Sequence, residues 1–158
     1  PEPEDEHFEI SKEPIESKPN HFRVTYNNGE VYEGEMENNQ KNGFGVYHYA
    51  NGELYDGQFI EDMISGYGKY VFASGAEYEG QWYEGEKHGM GILKFPNSDI
   101  YTGRFRDDMM DGSGKYVHYN GDVFEGTWHK GRKHGRGEFN GVDGRLIIGE
   151  WIDDVFTV

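Results

Sequence analysis

Residues 78–100 read YEGQWYEGEKHGMGILKFPNSDI, a stretch that opens on an aromatic-x-Gly-x-aromatic motif. The motif recurs at a spacing of 23 residues, as Tyr32-Glu33-Gly34-Glu35-Met36, Tyr55-Asp56-Gly57-Gln58-Phe59, Tyr78-Glu79-Gly80-Gln81-Trp82, Tyr101-Thr102-Gly103-Arg104-Phe105 and Phe124-Glu125-Gly126-Thr127-Trp128. A degenerate sixth copy, Ile147-Ile148-Gly149-Glu150-Trp151, falls on the same schedule. A fixed period of this length is typical of a repeat protein, in which each unit packs on its neighbours.

Two other motifs keep the same period. A Gly-x-Gly motif occurs at Gly43/Gly45, Gly66/Gly68, Gly89/Gly91, Gly112/Gly114 and Gly135/Gly137. A turn dipeptide occurs at Asn28-Gly29, Asn51-Gly52, Ser74-Gly75, Asn97-Ser98, Asn120-Gly121 and Asp143-Gly144. The runs between these motifs are rich in Tyr, Phe and Val, which favour strands. Each period therefore predicts a strand, a turn, a second strand and a loop.

The first turn allows two registers. A two-residue loop at Asn28-Gly29 would pair Tyr26 with Val31 and place the aromatics of the two strands on opposite faces. A three-residue loop, which is a type I turn followed by a glycine bulge, pairs Val24 with Tyr32 and gathers the aromatics on one face. Pro96 in a later turn favours the three-residue loop, because proline suits the first central position of a type I turn.

This register has two consequences for the backbone. It places Gly45 opposite Gly57, and the corresponding glycines of later hairpins face each other in the same way. Such a pair leaves a trough on the aromatic face, in which we expect rings of a neighbouring column to lie, namely Phe59, Trp82, Phe105 and Trp128. A further column holds only Asn, Asp or Gly, which favour a left-handed backbone conformation after a strand: Asn39, Asp62, Gly85, Asp108, Gly131 and Asp154.

The pattern divides the chain into three segments. Six hairpins, the last one degenerate, occupy residues 21–152, and residues 153–158 form a C-terminal tail. Residues 1–20 are acidic, contain proline and carry no repeat, which is typical of a disordered linker. Phe8, Ile10 and Ile15 favour the alternative, that this segment docks on the repeats of its own chain or of a neighbour. Because the chain begins at Pro1 rather than at Met, we expect it to be a piece of a longer protein.

The composition limits the classes of function. A net charge of −15 disfavours nucleic acid and anionic surfaces as partners. The chain has no cysteine, which excludes disulfides and thiolate metal sites. No apolar run reaches the roughly 18 residues that span a bilayer. The 24 glycines and the 16% of aromatic residues instead indicate close backbone approach, with rings filling the gaps.

No catalytic, cofactor or metal site is predicted. Gly112-Ser113-Gly114-Lys115 lacks two parts of a phosphate-binding loop, because Met109 replaces its upstream glycine and Tyr116 its Ser or Thr. His88 and His134 share a column but lie two repeats apart, which is roughly 19 Å in the expected sheet and too far for one ion.

The combined motifs resemble the MORN (membrane occupation and recognition nexus) repeat over residues 22–152. The resemblance implies an all-β, solenoid-like fold, an elongated single-layer twisted antiparallel sheet of about six sequential hairpins with a grooved face. It also implies a non-enzymatic scaffold or adaptor in the cytoplasm, since members bind partner peptides, dimerise or associate with membranes, phosphoinositides or the cytoskeleton. The sequence departs from the repeat pattern at Met36, Ser98, Phe124 and Ile147.

The aromatic face is the predicted site of function. A single-layer sheet cannot bury both of its faces by itself, so some rings must stay exposed or be covered by a partner. We predict that a partner peptide or helix binds in a groove lined by aromatic residues: Tyr32, Tyr47, Tyr55, Tyr70, Tyr78, Trp82, Tyr101, Phe105 and Phe124. Tyr78 and Tyr101 lie centrally, so their replacement by Ala is expected to abolish binding and leave the fold intact.

A basic segment supports an alternative function. Lys130, Arg132, Lys133 and Arg136 are the candidates for a small anion site or a weak anionic-lipid site, which would make the chain a phosphoinositide- or membrane-surface-binding module. A regulatory region of a larger enzyme is a third interpretation. Repeat arrays with open edge strands also pair readily, so homodimerisation is expected as a further association.

Overall fold

The computed structural model describes residues 7–158, and these form an open antiparallel sheet of fourteen strands in sequence order. The strands are β1 (Glu9–Pro14), β2 (His21–Tyr26), β3 (Val31–Glu37), β4 (Gln40–His48), β5 (Leu54–Ile60), β6 (Met63–Val71), β7 (Glu77–Tyr83), β8 (Glu86–Lys94), β9 (Ile100–Arg106), β10 (Met109–Val117), β11 (Val123–His129), β12 (Arg132–Asn140), β13 (Leu146–Ile152) and β14 (Val155–Phe156). Strands β2 to β13 form six hairpins. The predicted all-β, single-layer, solenoid-like sheet is confirmed.

The two edges of the sheet are built from residues outside the repeat pattern. Strand β1 pairs with β2, and Lys12 faces Val24. Just before it, the His7 ring stacks on Tyr26 with centroids 4.5 Å apart. The described part of the N-terminal segment therefore lies on the repeats of its own chain, while residues 1–6 lie outside the described residues. At the other edge, Val155 of β14 pairs with Ile152.

The turns that contain the repeated dipeptides, such as Asn28-Gly29, have the predicted three-residue form. The Tyr26 N–H donates to the Glu30 carbonyl at 2.9 Å, and the Gly29 N–H donates to the Tyr26 carbonyl at 3.0 Å. Gly29 has a φ of +86°, and Val24 pairs with Tyr32. The type I turn with a glycine bulge is thus confirmed, and with it the placement of the aromatic columns on one face.

The turns at the opposite ends of the strands contain two residues with positive φ. In the first of them Asn38 and Asn39 have φ of +49° and +62°. This is the type I′ geometry, whose twist matches that of the two flanking strands. The predicted left-handed column is confirmed at all six of its positions: Asn39, Asp62, Gly85, Asp108, Gly131 and Asp154.

A row of glycines crosses the sheet from β3 to β13. The row runs through Gly34, Gly45, Gly57, Gly68, Gly80, Gly91, Gly103, Gly114, Gly126, Gly137 and Gly149, each paired with the next. The sequence predicted these pairs within hairpins, and the structure continues them between hairpins. A Cβ atom on Gly91 would lie 2.5 Å from the Tyr78 ring. Only glycine fits at this position, because the ring occupies the space that a side chain would need.

The rings that lie directly on the glycines are those of the tyrosine column, and this corrects the prediction. Tyr78 stands two residues before Gly80 on the same strand face, which brings its ring over the row. The predicted Trp82 and Trp128 reach only the carbonyl oxygens of the row. Their indole N–H groups donate to Gly68 at 3.1 Å and to Gly114 at 3.3 Å.

The tyrosine hydroxyls complete the hydrogen bonding of the core. The pairing of β7 with β8 is interrupted between Gly80 and Trp82, and the Tyr78 hydroxyl donates to the Gln81 carbonyl at 2.7 Å. The same bond recurs at the equivalent residues Tyr32, Tyr55 and Tyr101. Tyrosine is therefore selected in this column both for its ring and for its donor group.

Phe124 occupies the tyrosine column without a hydroxyl, which provides a test of this bond. Phe124→Tyr is expected to place a donor at the Thr127 carbonyl and to raise the free energy of unfolding by about 1 kcal/mol. Urea unfolding measures the change, and Tyr101→Phe, which removes a bond of 2.8 Å to Arg104, should lower stability by a similar amount. If Phe124→Tyr is no more stable than the parent, the hydroxyl contributes nothing to the column.

Candidate functional site

The aromatic face is a groove, because side chains from the two ends of each strand meet above the glycine row. Lys41 and Tyr47 lie six residues apart on β4, a separation of about 20 Å along an extended strand. The Lys41 Nζ atom is nevertheless 5.5 Å from the centre of the Tyr47 ring. The strand must therefore bend between them, at the Gly43 to Gly45 segment, where Gly43 has a φ of +103°.

Two different sets of side chains form the walls of this groove. The wall next to the three-residue turns is aromatic and consists of Tyr47, Tyr49, Tyr70, Phe72, Leu93, Phe95 and Tyr116. The wall next to the type I′ turns is mixed and consists of Lys41, Asp62, Ile64, Lys87, Asp108, Met110 and Lys133. The groove is thus apolar along one side and carries alternating charged and apolar groups along the other.

Two cavities open along the groove. The larger has a volume of about 540 Å³ and is lined by residues between Lys41 and Lys87, chiefly Tyr49, Ile64, Tyr70, Phe72 and Trp82. The smaller has a volume of about 260 Å³ and is lined by Phe95, Met110, Tyr116, His118, Trp128 and Lys133. Both cavities combine aromatic and aliphatic side chains with charged groups, a combination that is common in binding sites.

The residues predicted to line the groove fall into two groups. Tyr32, Tyr55, Tyr78, Tyr101 and Phe124 have no exposed surface, and Trp82 and Phe105 keep 6% and 3% of theirs. These side chains form the floor of the groove. Tyr47 and Tyr70 stand in its aromatic wall. Because the rings of Tyr78 and Tyr101 are fully buried, alanine at these positions is expected to destabilise the fold rather than to leave it intact.

Of the residues that line the larger cavity, the sequence predicted Tyr47, Tyr70 and Trp82 and missed Tyr49, Phe72 and Ile64 as site residues. Tyr49, Phe72 and Ile64 lie outside the repeated motifs by which the groove residues were chosen. Variation between repeats does not distinguish them, because the buried column that contains Phe59 and Trp82 varies as well. The signal for Tyr49 and Phe72 was their position in an aromatic column on the groove face.

A carboxylate clamp fixes the aromatic wall from one hairpin to the next. Asp99 accepts hydrogen bonds from the Tyr116 hydroxyl at 2.6 Å and from the Tyr119 N–H at 2.8 Å. Glu53 holds the equivalent Tyr70 and Ala73 in the same way, at 2.8 and 2.9 Å. The bond from Tyr116 holds the pKa of Asp99 below its ordinary value, against the opposing effect of burial.

The junction between the third hairpin (β6–β7) and the fourth hairpin (β8–β9) lacks this carboxylate clamp. Ala76 stands in the carboxylate column, Leu93 in the hydroxyl column and Pro96, which has no N–H, at the position of the backbone donor. All three members of the clamp are thus replaced together by groups that need no hydrogen bond, so the joint is apolar without an unsatisfied polar group.

The clamp predicts a dependence of stability on pH. A carboxyl group whose pKa is lowered on folding stabilises the protein above its unfolded pKa of about 3.9, and this contribution is lost as the pH falls through the folded pKa. We expect Asp99→Asn to lower the free energy of unfolding at pH 7 by about 1 kcal/mol and to flatten its acid-induced loss below about pH 4. Urea unfolding from pH 2 to 7 measures both effects. The exposed Asp56→Asn is the control, and an equal effect of the two would contradict the clamp.

The four basic residues predicted to bind anions are divided between two faces. Arg132 and Arg136 alternate with Lys133 along β12, so their side chains lie on the face opposite the groove. The Lys133 Nζ atom lies in the groove, 5.0 Å from the centre of the Phe124 ring. Lys130 lies in a turn, where its N–H donates to Asp111 at 3.2 Å. The structure does not bring these residues together.

Within residues 7–158, no group of three His, Asp or Glu side chains is placed to hold a metal ion. His129 and His134 lie with ring centroids 5.8 Å apart, and each instead has an aspartate nearby, Asp111 at 3.3 Å and Asp153 at 3.6 Å. The described residues include no helix of the length and hydrophobicity needed to cross a membrane.

Comparison with protein families identifies the repeat. The family model of the MORN repeat matches five times, over residues 32–53, 55–77, 78–100, 101–123 and 124–144. The chain belongs to the MORN repeat family. The five matches follow the 23-residue period and extend from β3 to the turn before β13 of this MORN array. A comparison with curated proteins gave no match.

The MORN array is also similar to solved structures. One is the TCP domain of Drosophila melanogaster SAS-4 (dCPAP) in complex with a proline-rich motif of Ana2 (dSTIL), with 16% identity over 84% of this chain and 72% of that chain and a TM-score of 0.53. A second is the TCP10 domain of Danio rerio CPAP in complex with a peptide of Danio rerio STIL, with 16% identity over 87% and 67% of the two chains and a TM-score of 0.42. The first of these likenesses is one of fold.

Proposed function

We propose that this MORN array is a non-enzymatic protein-binding module that holds a segment of a partner protein in its aromatic groove. The observation that carries the proposal is the cavity of about 540 Å³ between Lys41 and Lys87. Its aromatic wall includes Tyr49 and Phe72, which are only partly buried and have one side open to a ligand. Aromatic surfaces of this kind, with a polar rim, are typical of protein interfaces.

The groove suits a segment of chain better than a globular surface. It is a long concavity across the strands, and its second cavity, beside Met110 and Tyr116, lies further along the same axis. The SAS-4 TCP domain, which has a similar sheet, is in complex with a proline-rich motif of Ana2. We extend this class of ligand, an extended peptide, to the present chain. Homodimerisation and cytoskeletal association stay predictions.

The phosphoinositide alternative has less support. Arg132 and Arg136 lie on one face and Lys133 on the other, so these charges do not add at one membrane surface. The net charge of −15 also opposes approach to an anionic bilayer. The groove therefore supports a peptide ligand, whereas the basic residues of β12 do not form one surface for a lipid.

Selection from a random twelve-residue peptide library on the whole chain tests the proposal. The affinity of the recovered peptides, measured by fluorescence anisotropy, is expected to fall about tenfold or more in Tyr49→Ala and Phe72→Ala, since each removes an aromatic contact from the cavity. The matched control is Tyr67→Ala, whose ring is 53% exposed on the opposite face. Circular dichroism verifies the fold of each variant. Peptides that bind Tyr49→Ala and Phe72→Ala with unchanged affinity would contradict the proposal.

A further inference from the structure

The residue types that line the mixed wall of the groove repeat every two hairpins, although the sequence motifs repeat in every hairpin. In the mixed wall, lysine alternates with an apolar residue along a single column: Lys41, Ile64, Lys87, Met110 and Lys133. The neighbouring column alternates in step, with aspartate beside each lysine and glycine beside each apolar residue: Asp62, Gly85, Asp108, Gly131 and Asp154. A second period of 46 residues is therefore superimposed on the period of 23.

The side chains of Lys41 and Lys87 extend across the groove and are held there by aspartates. The Asp108 carboxylate accepts a hydrogen bond from the Lys87 backbone N–H at 2.8 Å and lies 3.7 Å from the Lys87 Nζ atom. The same Nζ atom is 5.2 Å from the centre of the Phe72 ring on the opposite wall. Lys41 is held in the same way by Asp62, at 2.8 and 3.4 Å. The lysines thus divide the groove into compartments.

The two cavities are equivalent compartments of this divided groove. The larger lies between Lys41 and Lys87, and the smaller adjoins Lys133. Their linings correspond residue by residue at a separation of 46, with Tyr49, Ile64, Tyr70, Phe72 and Trp82 in the first and Phe95, Met110, Tyr116, His118 and Trp128 in the second. A ligand that spans the groove therefore meets two corresponding linings, which differ in that His118 stands in the place of Phe72.

The spacing of the compartments matches an extended peptide conformation better than it matches an α-helix. Four strands separate them, which is about 19 Å at about 4.8 Å per strand. A polyproline II helix rises about 3.1 Å per residue with three residues per turn, so side chains six residues apart lie on one side and about 18.6 Å apart. An α-helix rises about 1.5 Å per residue, and its nearest equivalent, two heptads, spans about 21 Å. The polyproline II geometry fits the sheet more closely.

We propose that the groove is specific for a polyproline II segment with two apolar anchor side chains six residues apart, one in each compartment. This inference rests on the function proposed above and adds the conformation and register of the ligand. The peptide residue midway between the two anchors lies over the Lys87 side chain. Since a polyproline II segment has no internal hydrogen bonds, its backbone carbonyl oxygen at that point is free to accept from the Lys87 ammonium.

The environment of Lys87 supports this role. Its side chain is only 14% exposed, yet within residues 7–158 no group accepts a hydrogen bond from its Nζ atom, and the nearest carboxylate oxygen is the one at 3.7 Å. A mostly enclosed ammonium group with open donor positions favours an uncharged acceptor beside the existing aspartate. The net charge of −15 further favours basic residues at the ends of the segment.

A spacing series tests the register. Proline-based peptides of equal composition, with an arginine at each end and two leucines five, six or seven residues apart, are titrated into the whole chain by fluorescence anisotropy. The six-residue spacing is expected to bind about tenfold more tightly than the other two, because only it fills both compartments. Equal affinities across the series would overturn the proposal.

Two variants that exchange residue types between alternating positions of the column test whether the lysines divide the groove. Ile64→Lys inserts a lysine into the apolar part of the first compartment, between Lys41 and Lys87, and should abolish the preference for six-residue spacing. Lys87→Ile removes the donor and should weaken all three peptides by a similar factor of about five, while the preference remains. Both substitutions use residues that the column already contains, and circular dichroism verifies the fold. A preference that survives Ile64→Lys would overturn the compartment assignment.

The outcomes separate this inference from the function on which it rests. If library-selected peptides bind in the groove but become helical on binding, or show no six-residue spacing, the inference fails and the proposed function stands. If neither selected nor designed peptides bind, both fail. Tight binding of the six-residue peptide that is lost in Tyr49→Ala would support both.

Discussion

Replacement of Tyr78 by Ala is expected to lower the free energy of unfolding by about 3–5 kcal/mol, the loss typical of a fully buried aromatic side chain. The Tyr78 ring has no exposed surface and packs edge-on against Trp82 and Phe105, with centroids 4.9 and 5.1 Å away. The ring lies over Gly91 of the paired strand β8, which has no side chain to fill the space. The cavity left by the substitution therefore cannot close by rearrangement of side chains.

Urea unfolding followed by tryptophan fluorescence measures this loss. Tyr78→Phe keeps the ring and removes only the hydrogen bond to Gln81, so it is expected to cost about 1 kcal/mol. Tyr83→Ala on the same strand is the surface control, since that ring is 58% exposed, and its effect should stay within about 0.5 kcal/mol. A Tyr78→Ala variant that differs from the parent no more than Tyr83→Ala does would refute the placement of the ring in the core.

Replacement of Gly80 by Ala is expected to cost about 3 kcal/mol, at the upper end of the range for overpacking. An added Cβ atom would lie 2.5 Å from the Gly91 Cα atom and 2.5 Å from the Met90 carbonyl oxygen. Both are backbone atoms of the paired strand, so no change of rotamer relieves the contact. The strands themselves would have to separate at the centre of the sheet.

Gly75→Ala is the matched control for this substitution. Gly75 lies in a turn with a φ of +91°, and an added Cβ atom would have no neighbour within 4 Å. Its expected cost is only that of a left-handed alanine, about 1 kcal/mol. Thermal and urea unfolding of the two variants compare steric with conformational cost. If Gly80→Ala is as stable as Gly75→Ala, the glycine row is not closely packed.

The backbone of this fold follows directly from local sequence. Each turn is specified by a residue whose conformational preference is strong, as with Pro96 at the start of a type I turn and Asp62 or Gly85 in a left-handed position. The fixed 23-residue period then repeats the same geometry in every hairpin. Register, turn type and the pairing of glycines were therefore predictable from particular residues.

The depth of each ring was not predictable in the same way. Tyr70 and Tyr78 are both tyrosines on the aromatic face, and they pair with each other across β6 and β7. Only the bend of the strands at the glycine row makes one the floor and the other a wall of the groove. That bend depends on glycines of several strands together, so the predicted groove residues combined the buried floor with Tyr47 and Tyr70 of the wall.

The basic segment shows a different limit. Lys133 and Arg136 are close in the sequence, but the alternation of side chains along β12 sends them to opposite faces. Their separation follows from the strand register, while the sequence pattern emphasised their density of charge. Proximity along a strand is therefore a poor indicator of a common site.

Amide chemical-shift mapping with a library-selected peptide tests the proposed binding site most directly. Binding in the groove predicts the largest shifts at the amides of Tyr49, Ile64 and Phe72, with little change on the opposite face. The largest shifts at Phe44, Tyr67 and Met90, which are exposed on that face, would contradict the assignment of function to the groove.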